Sequence, residues 1–249
     1  MSITRLRVAT AVLIAIATTA VTGTAADKEG AGFDTSLAAG VALTDGNSET
    51  LQSNASITTE GEKEGLGSIR AGAEGNYGES TVDDETETTV ENGKAFLNIR
   101  KTLSEKTFAL FDTSVLYDDI AEVDYRITAG PGLGYYLVKE DDLEFSVEAG
   151  AAYLWEDVAG ETADYVVVRF AERITHDVSE TCKVWQSAEF LPEAEDFSNY
   201  LLTAEAGIEC AINSSVNLRL VVQDKYDSEP GDDLEQNDLT VIGGLSVSL

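Results

Sequence analysis

From Phe33 to Leu249 apolar and polar residues alternate in segments of roughly ten to fourteen residues, joined by connections that are by turns short and long. Period-two alternation gives each segment one apolar and one polar face, the mark of a strand. Soluble strands run about five or six residues. Strands twice that length, with uneven connections, point to an all-β fold: an antiparallel transmembrane β-barrel of the outer-membrane type. The predicted strands are 33–43, 49–60, 66–78, 89–101, 106–117, 123–138, 142–156, 163–174, 180–191, 198–211, 215–226 and 238–249. They number about twelve, an even number as such single-chain barrels require.

The N-terminus stands outside this rhythm. Arg5 and Arg7 precede an apolar run from Val8 to Val21, then Thr24-Ala25-Ala26 and charged Asp27-Lys28-Glu29. A basic start, a short apolar stretch and a small-residue cleavage site describe a secretory signal peptide over residues 1–26, leaving 27–249 as the barrel domain. The run is too short to cross a bilayer as a helix.

Parity assigns the faces. In the seventh strand Leu143, Phe145, Val147, Ala149, Ala151, Tyr153 and Trp155 oppose Asp142, Glu144, Ser146, Glu148 and Gly150. In the tenth, Tyr200, Leu202, Ala204, Ala206 and Ile208 oppose Asn199, Thr203, Glu205 and Glu209. A soluble secreted β-sandwich, acting as a binding module, would bury such an apolar face between two sheets; a membrane barrel turns it to lipid. Two observations favour the barrel. Connections 61–65, 102–105, 139–141, 175–179 and 213–214 are short, whereas the opposite end carries the acidic segments 79–88, 157–162, 192–197 and 227–237. Short periplasmic turns and longer outer loops are the expected asymmetry. At the long-loop ends Tyr77, Tyr117, Tyr125, Tyr153, Trp155, Phe190, Tyr200 and Tyr226 all take the outward parity, as an interfacial girdle does; Tyr165 breaks the rule. These features place the chain in the cell outer membrane, with membrane lipid as its surroundings and the outer-membrane assembly machinery as its partner during biogenesis.

The inward parity carries Arg70, Glu74, Lys94, Arg100, Arg126, Glu144, Glu148, Arg169, Arg173, Glu189, Glu205, Glu209, Arg219 and Lys225. Both signs are present, so the set reads either as a salt-bridge network filling a narrow lumen or as the lining of a water-filled pore. Eight strands leave an interior that side chains fill and sixteen leave a channel. Twelve lies between, and a narrow or plugged lumen is expected.

Charge limits the partners. The chain holds 16 basic and 46 acidic residues, a net charge of −30. Such a surface repels nucleic acid and anionic lipid head groups. It favours cations, divalent or monovalent, at the acidic outer-loop residues Glu79, Asp83, Asp84, Glu85, Asp227, Asp232, Asp233 and Glu235, or else simply solvates the loops. The segment Asp227 to Asp233 lacks the ordered ligand spacing of an EF-hand. Cys182 and Cys210 are symmetric about residue 196, inside the segment 192–198. If that segment closes a hairpin, the two cysteines face each other and form a disulfide, as an exported chain permits.

Catalysis is not expected. The sole histidine, His176, falls in the predicted short turn 175–179, away from the outer rim where a histidine-based triad would act on lipid. Zinc-ligand spacing and phosphate-binding glycine loops are lacking, and no cofactor is implied.

Gly40-Val-Ala-Leu-Thr-Asp-Gly-Asn-Ser-Glu-Thr50, Asp124-Tyr-Arg126 leading to Gly130-Pro-Gly-Leu-Gly-Tyr135, Glu148-Ala-Gly-Ala-Ala-Tyr153, Leu191-Pro192 with Ser198-Asn-Tyr200, and Tyr226-Asp-Ser-Glu-Pro230 follow one another along the chain. In this order they resemble the YdiY-like salt-induced outer-membrane proteins, a family defined by domain of unknown function 481. The resemblance implies a non-enzymatic outer-membrane barrel without an assigned activity, and the family's name links it to salt stress. It carries over no catalytic or ligand residues. Here the chain departs in its paired cysteines, its acidic second and sixth loops, and its terminal Leu249 where such barrels usually end on an aromatic residue.

Overall fold

The computed structural model describes residues 33–44, 49–63, 67–82, 85–231 and 234–248 of the chain. The leader expected over residues 1–26 and the first hairpin loop, 45–48, lie outside these residues. Twelve strands follow in order: β1 (Phe33–Thr44), β2 (Glu49–Lys63), β3 (Gly67–Val82), β4 (Glu85–Thr102), β5 (Thr107–Asp118) and β6 (Val123–Lys139). The second half comprises β7 (Leu143–Val158), β8 (Glu161–Ser179), β9 (Cys182–Pro192), β10 (Tyr200–Ala211), β11 (Val216–Asp227) and β12 (Asn237–Ser248). Each strand pairs antiparallel with its sequence neighbours, and β1 closes on β12 through Ser36 opposite Ser248 and Ala39 opposite Leu245. Closure satisfies the backbone groups that an open edge would leave bare, the condition for a sheet to sit in lipid. Among the described residues it leaves no second sheet, which sets aside the sandwich.

Large apolar side chains cover the outside of this ring. Leu133 is 63% exposed, Leu239 66% and Phe170 47%, with Val41, Phe111, Leu218 and Leu245 on the same outward parity. An apolar surface running around the whole molecule is the lipid-facing band. Above it the girdle aromatics associate: Tyr153 with Trp155 at 4.6 Å between ring centroids, Phe190 with Tyr200 at 5.3 Å, and Tyr200 with Tyr226 at 5.5 Å. Their hydroxyls reach toward the polar end: Tyr77 donates to Glu79 at 3.2 Å, Tyr117 to Asp119 at 3.2 Å, and Tyr153 to Asp164. Rings in the apolar zone with wet hydroxyls fit a membrane interface.

Inside, bulky side chains sit on glycines of the adjacent strand. A Cβ on Gly134 would stand 2.1 Å from the Phe108 ring, one on Gly207 2.1 Å from the Trp185 ring, and one on Gly72 2.7 Å from the Phe96 ring. The rings lie flat across the missing side chains, which is how a twelve-stranded barrel fills part of its bore. Gly134→Ala is therefore expected to destabilise the barrel by about 1–3 kcal/mol through overpacking. A lowered urea midpoint for the variant in lipid vesicles checks this; coincident curves would refute it.

Several strands outrun their predicted ends. β3 and β4 stay paired out to Val82 opposite Glu85, past a bulge at Gly78/Glu79, so Glu79 and Glu85 belong to a protruding hairpin rather than to a long loop. β7 and β8 meet in the two-residue turn Ala159-Gly160, with φ 54° and 77°. Both positions are left-handed, as in a type I′ hairpin. β8 also runs on to Ser179, which puts His176 in a strand instead of a turn.

Candidate functional site: a lumen closed at one end

The inward faces of the strands build the lumen, and its two ends differ. At the long-loop end Arg126, near the start of β6, gives Nε to Glu156 Oε2 at 2.5 Å and Nη2 to Asp227 Oδ2 at 2.8 Å. Asp227 is the last residue of β11, five strands around the ring, so this contact crosses the bore. A second one, Lys225 Nζ to Asp118 Oδ2 at 3.6 Å, joins strands six apart, on opposite sides of the ring. Tyr165, the tyrosine that departs from the girdle, turns inward and donates its hydroxyl to Glu156 Oε1 at 2.7 Å. Its inward parity follows from its pairing with Leu154.

Beside these ion pairs lies the apolar cluster of the interior: Ala152, Leu154, Val167 and Leu191, with Tyr165 and Leu201 packed on it. Leu154 and Val167 are fully buried. Over the mouth, the loop between β11 and β12 approaches the turns opposite it; a Cβ on Gly231 would lie 3.4 Å from Glu122 Oε2 and 3.5 Å from Ala159 Cβ. The loop between β9 and β10 is tied by Asp196, which accepts from the Ser198 hydroxyl at 2.6 Å and its amide at 3.0 Å. These bonds hold the Asp196 carboxyl below its ordinary range.

At the short-turn end the lumen is hollow. A cavity of about 590 Å³ runs from the inner rim, at Glu60, Glu62, Asp141 and Asp142, up to Gln223 and Lys225. None of Arg126, Glu156, Asp227 or Tyr165 lines it. Among the described residues the cavity is thus a vestibule that opens toward the short-turn end, while ion pairs and the apolar cluster occupy the bore toward the other.

Between the two lies a charged belt. Glu148 accepts from Arg100 at 2.7 Å and from Arg169 at 2.8 Å, and Arg169 also reaches Glu189 at 2.6 Å. Glu205 accepts from Trp185 Nε1 at 2.6 Å and Gln223 at 3.0 Å, while Glu209 takes Ser246 at 2.7 Å and Asn217 at 3.2 Å. Glu74 and Lys94 are cross-strand partners on β3 and β4. Glu144, Arg70, Arg173 and Arg219 line the cavity. Of the inward-parity charges named from the sequence, all but Arg126 and Glu209 line this cavity, the ion-paired Arg100, Glu148, Arg169, Glu189 and Lys225 among them.

The acidic mouth is not a free ring. Asp227 is engaged by Arg126 and Glu79 by Tyr77, whereas Glu85 and Glu235 are exposed. Asp83, Asp84, Asp232 and Asp233 lie outside the described residues. His176 has outward parity, with Nδ1 2.9 Å from the Asp142 carbonyl oxygen. Cys182 and Cys210 are register partners of β9 and β10, joined by a disulfide with Cα atoms 4.1 Å apart. Sequence reasoning missed Glu156, Asp118 and Trp185 as lumen residues. The first is on the inward parity of β7, but nothing in the alternation tells which strand across the bore supplies its partner.

This chain is similar to several solved outer-membrane barrels. The NanC porin is 10% identical, with a TM-score of 0.47 over 86% of this chain and 97% of its own. The KdgM porin is 8% identical, TM-score 0.44, over 88% of this chain and 99% of its own. The translocator domain of the autotransporter NalP from Neisseria meningitidis is 13% identical, TM-score 0.42, over 98% and 97%. No curated protein sequence matches. The profile of DUF481, described as a protein of unknown function, matches residues 37–249, nearly the whole barrel, and the chain belongs to that family.

Proposed function

We propose that this protein is a non-enzymatic, narrow outer-membrane pore held shut at its outer end by ion pairs that span the bore. The observation that carries the reading is the pair of cross-lumen contacts, Arg126 with Asp227 and Lys225 with Asp118. Charged side chains that only line a barrel pair over short arcs of the wall, as Arg169 does with Glu148 and Glu189 on adjacent strands and Arg100 with Glu148 three strands away. Pairs reaching across the bore instead close it, and they are reversible: each partner can be rehydrated when the loops move apart. The short-turn end is assigned to the periplasm, so the vestibule opens inward and the latch faces the exterior. An N-terminal leader over residues 1–26 delivers the chain to the envelope.

Planar-bilayer recording of refolded residues 27–249 tests this. The expected trace is a low baseline with brief, discrete openings. A steady ohmic conductance would overturn the latch, and a membrane-inserted but silent protein would favour a closed envelope component.

A further inference from the structure

The belt arginines fall into two chemical states. Arg126 and Arg169 each bind two carboxylates. Arg70, Arg173 and Arg219 do not. Among the described residues Arg173 and Arg219 make no ion pair, and Arg70 has only the long contact of its Nε with Glu60 Oε2 at 3.6 Å, beyond hydrogen-bond distance. All three border the 590 Å³ cavity, entering it from β3, β8 and β11.

Two of them are displayed in a repeated arrangement that Arg100 shares. Arg70 lies 5.0 Å over the Phe96 ring, Arg100 4.8 Å over Phe108 and Arg219 5.0 Å over Trp185. Those rings are the ones seated on Gly72, Gly134 and Gly207. A guanidinium held over a ring face still donates through its N–H groups. Arg100 gives one to Glu148 at 2.7 Å, while Arg70 and Arg219 border the cavity. The cavity lining as a whole carries more carboxylates than cations, but the ones close to these three arginines are Glu60, beside Arg70, and Glu205, which already accepts from Trp185 and Gln223. Arg173 is within Coulombic reach of Arg70 and Arg100 as well as of Glu205 and Glu60. Three guanidiniums thus meet two carboxylates at this level, a local excess of positive charge that the barrel's own pairing leaves in place.

We propose that the inner vestibule is a binding site for a small soluble polyanion bearing carboxylate or phosphate groups, clasped by Arg70, Arg173 and Arg219. Guanidinium forks suit planar carboxylate and phosphate oxygens. The cavity volume is within the range of sites for small molecules, about 300–1,000 Å³. Access is from the short-turn end, so binding does not depend on whether the latch conducts.

The test uses the refolded mature barrel in detergent at low ionic strength, with Trp155→Phe leaving Trp185 as the fluorescent reporter beneath Arg219. Citrate and pyrophosphate are titrated separately, with glucose as the neutral control. A saturable Trp185 response to citrate, to pyrophosphate or to both supports the site and names its group; glucose gives none. Arg173→Gln and Arg219→Gln are each expected to weaken binding at least tenfold, with Lys101→Gln, on the outer face, unchanged. Heat-dependent gel mobility verifies folding, and Arg219→Lys, which keeps the charge and loses the fork, is expected to bind with intermediate affinity. No response to either anion, or unchanged affinity in both glutamine variants, would overturn the proposal. A silent bilayer with intact citrate binding would refute the pore and leave this site standing.

Discussion

Arg126→Ala is expected to raise the open fraction of the barrel by roughly 10- to 100-fold. The estimate follows from the one charge-assisted hydrogen bond that Arg126 makes across the bore, to Asp227; Glu156 is its register partner on the adjacent strand and stays with it when the bore opens. A bond of this kind contributes about 1.5–3 kcal/mol, and about 2 kcal/mol lost from the closed state multiplies the open-to-closed ratio by roughly 30. Removing the cation also leaves two carboxylates facing each other, which favours separation further. Asp227→Asn should open the barrel less, because its amide oxygen still accepts from Arg126 and no second carboxylate is left to repel Glu156. Single-channel recordings ranked wild type, Asp227→Asn, Arg126→Ala in open probability would bear out the latch. Equal open probabilities would mean that the apolar cluster around Leu154 and Val167 closes the bore alone.

The second large effect concerns stability. Cys182 and Cys210 are 28 residues apart in sequence and stand opposite each other at the short-turn end of β9 and β10. Those strands are already fully registered, so the bond acts mainly on the unfolded chain. Closing a loop of this length stabilises by about 3–4 kcal/mol in the chain-entropy description. The Cys182→Ser, Cys210→Ser variant is expected to unfold at a clearly lower urea concentration in lipid vesicles, and reductant should shift the wild type to match it. Coincident curves with and without reductant would contradict this.

How legible the fold was depends on which forces act locally. Strand number, order and face were readable because alternation reports burial residue by residue. Strand ends were not. The segments 79–88 and 157–162 look like loops by their charge, yet polar strands that project beyond the lipid need no apolar face, so β3, β4, β7 and β8 continue through them. Ala159-Gly160 escaped notice because alanine is an unusual occupant of a left-handed position, where Asn or Asp would have signalled the hairpin. Tyr165 was visible only as an exception; its role became apparent once Glu156 and Arg126 were beside it. The lumen charges could be named from parity, but the division into latch and vestibule could not. Which charge meets which across the bore depends on the cross-section of the closed barrel, a property no single strand encodes. The glycine-seated rings were likewise hidden, since Gly134 and Phe108 are adjacent only through the β5–β6 register.

The most direct measurement is chemical cross-linking across the bore. Arg126→Cys and Asp227→Cys are combined in a chain already carrying Cys182→Ser and Cys210→Ser and refolded into vesicles. They are then treated with a short bifunctional methanethiosulfonate, because an arginine and an aspartate that meet tip to tip span more than a direct disulfide does. With the native side chains in contact across five strands, the two positions should be bridged rapidly, and the bridged barrel should be locked shut until reductant is added. If the pair is not bridged while the barrel is folded, the bore is open at that level and the latch does not exist.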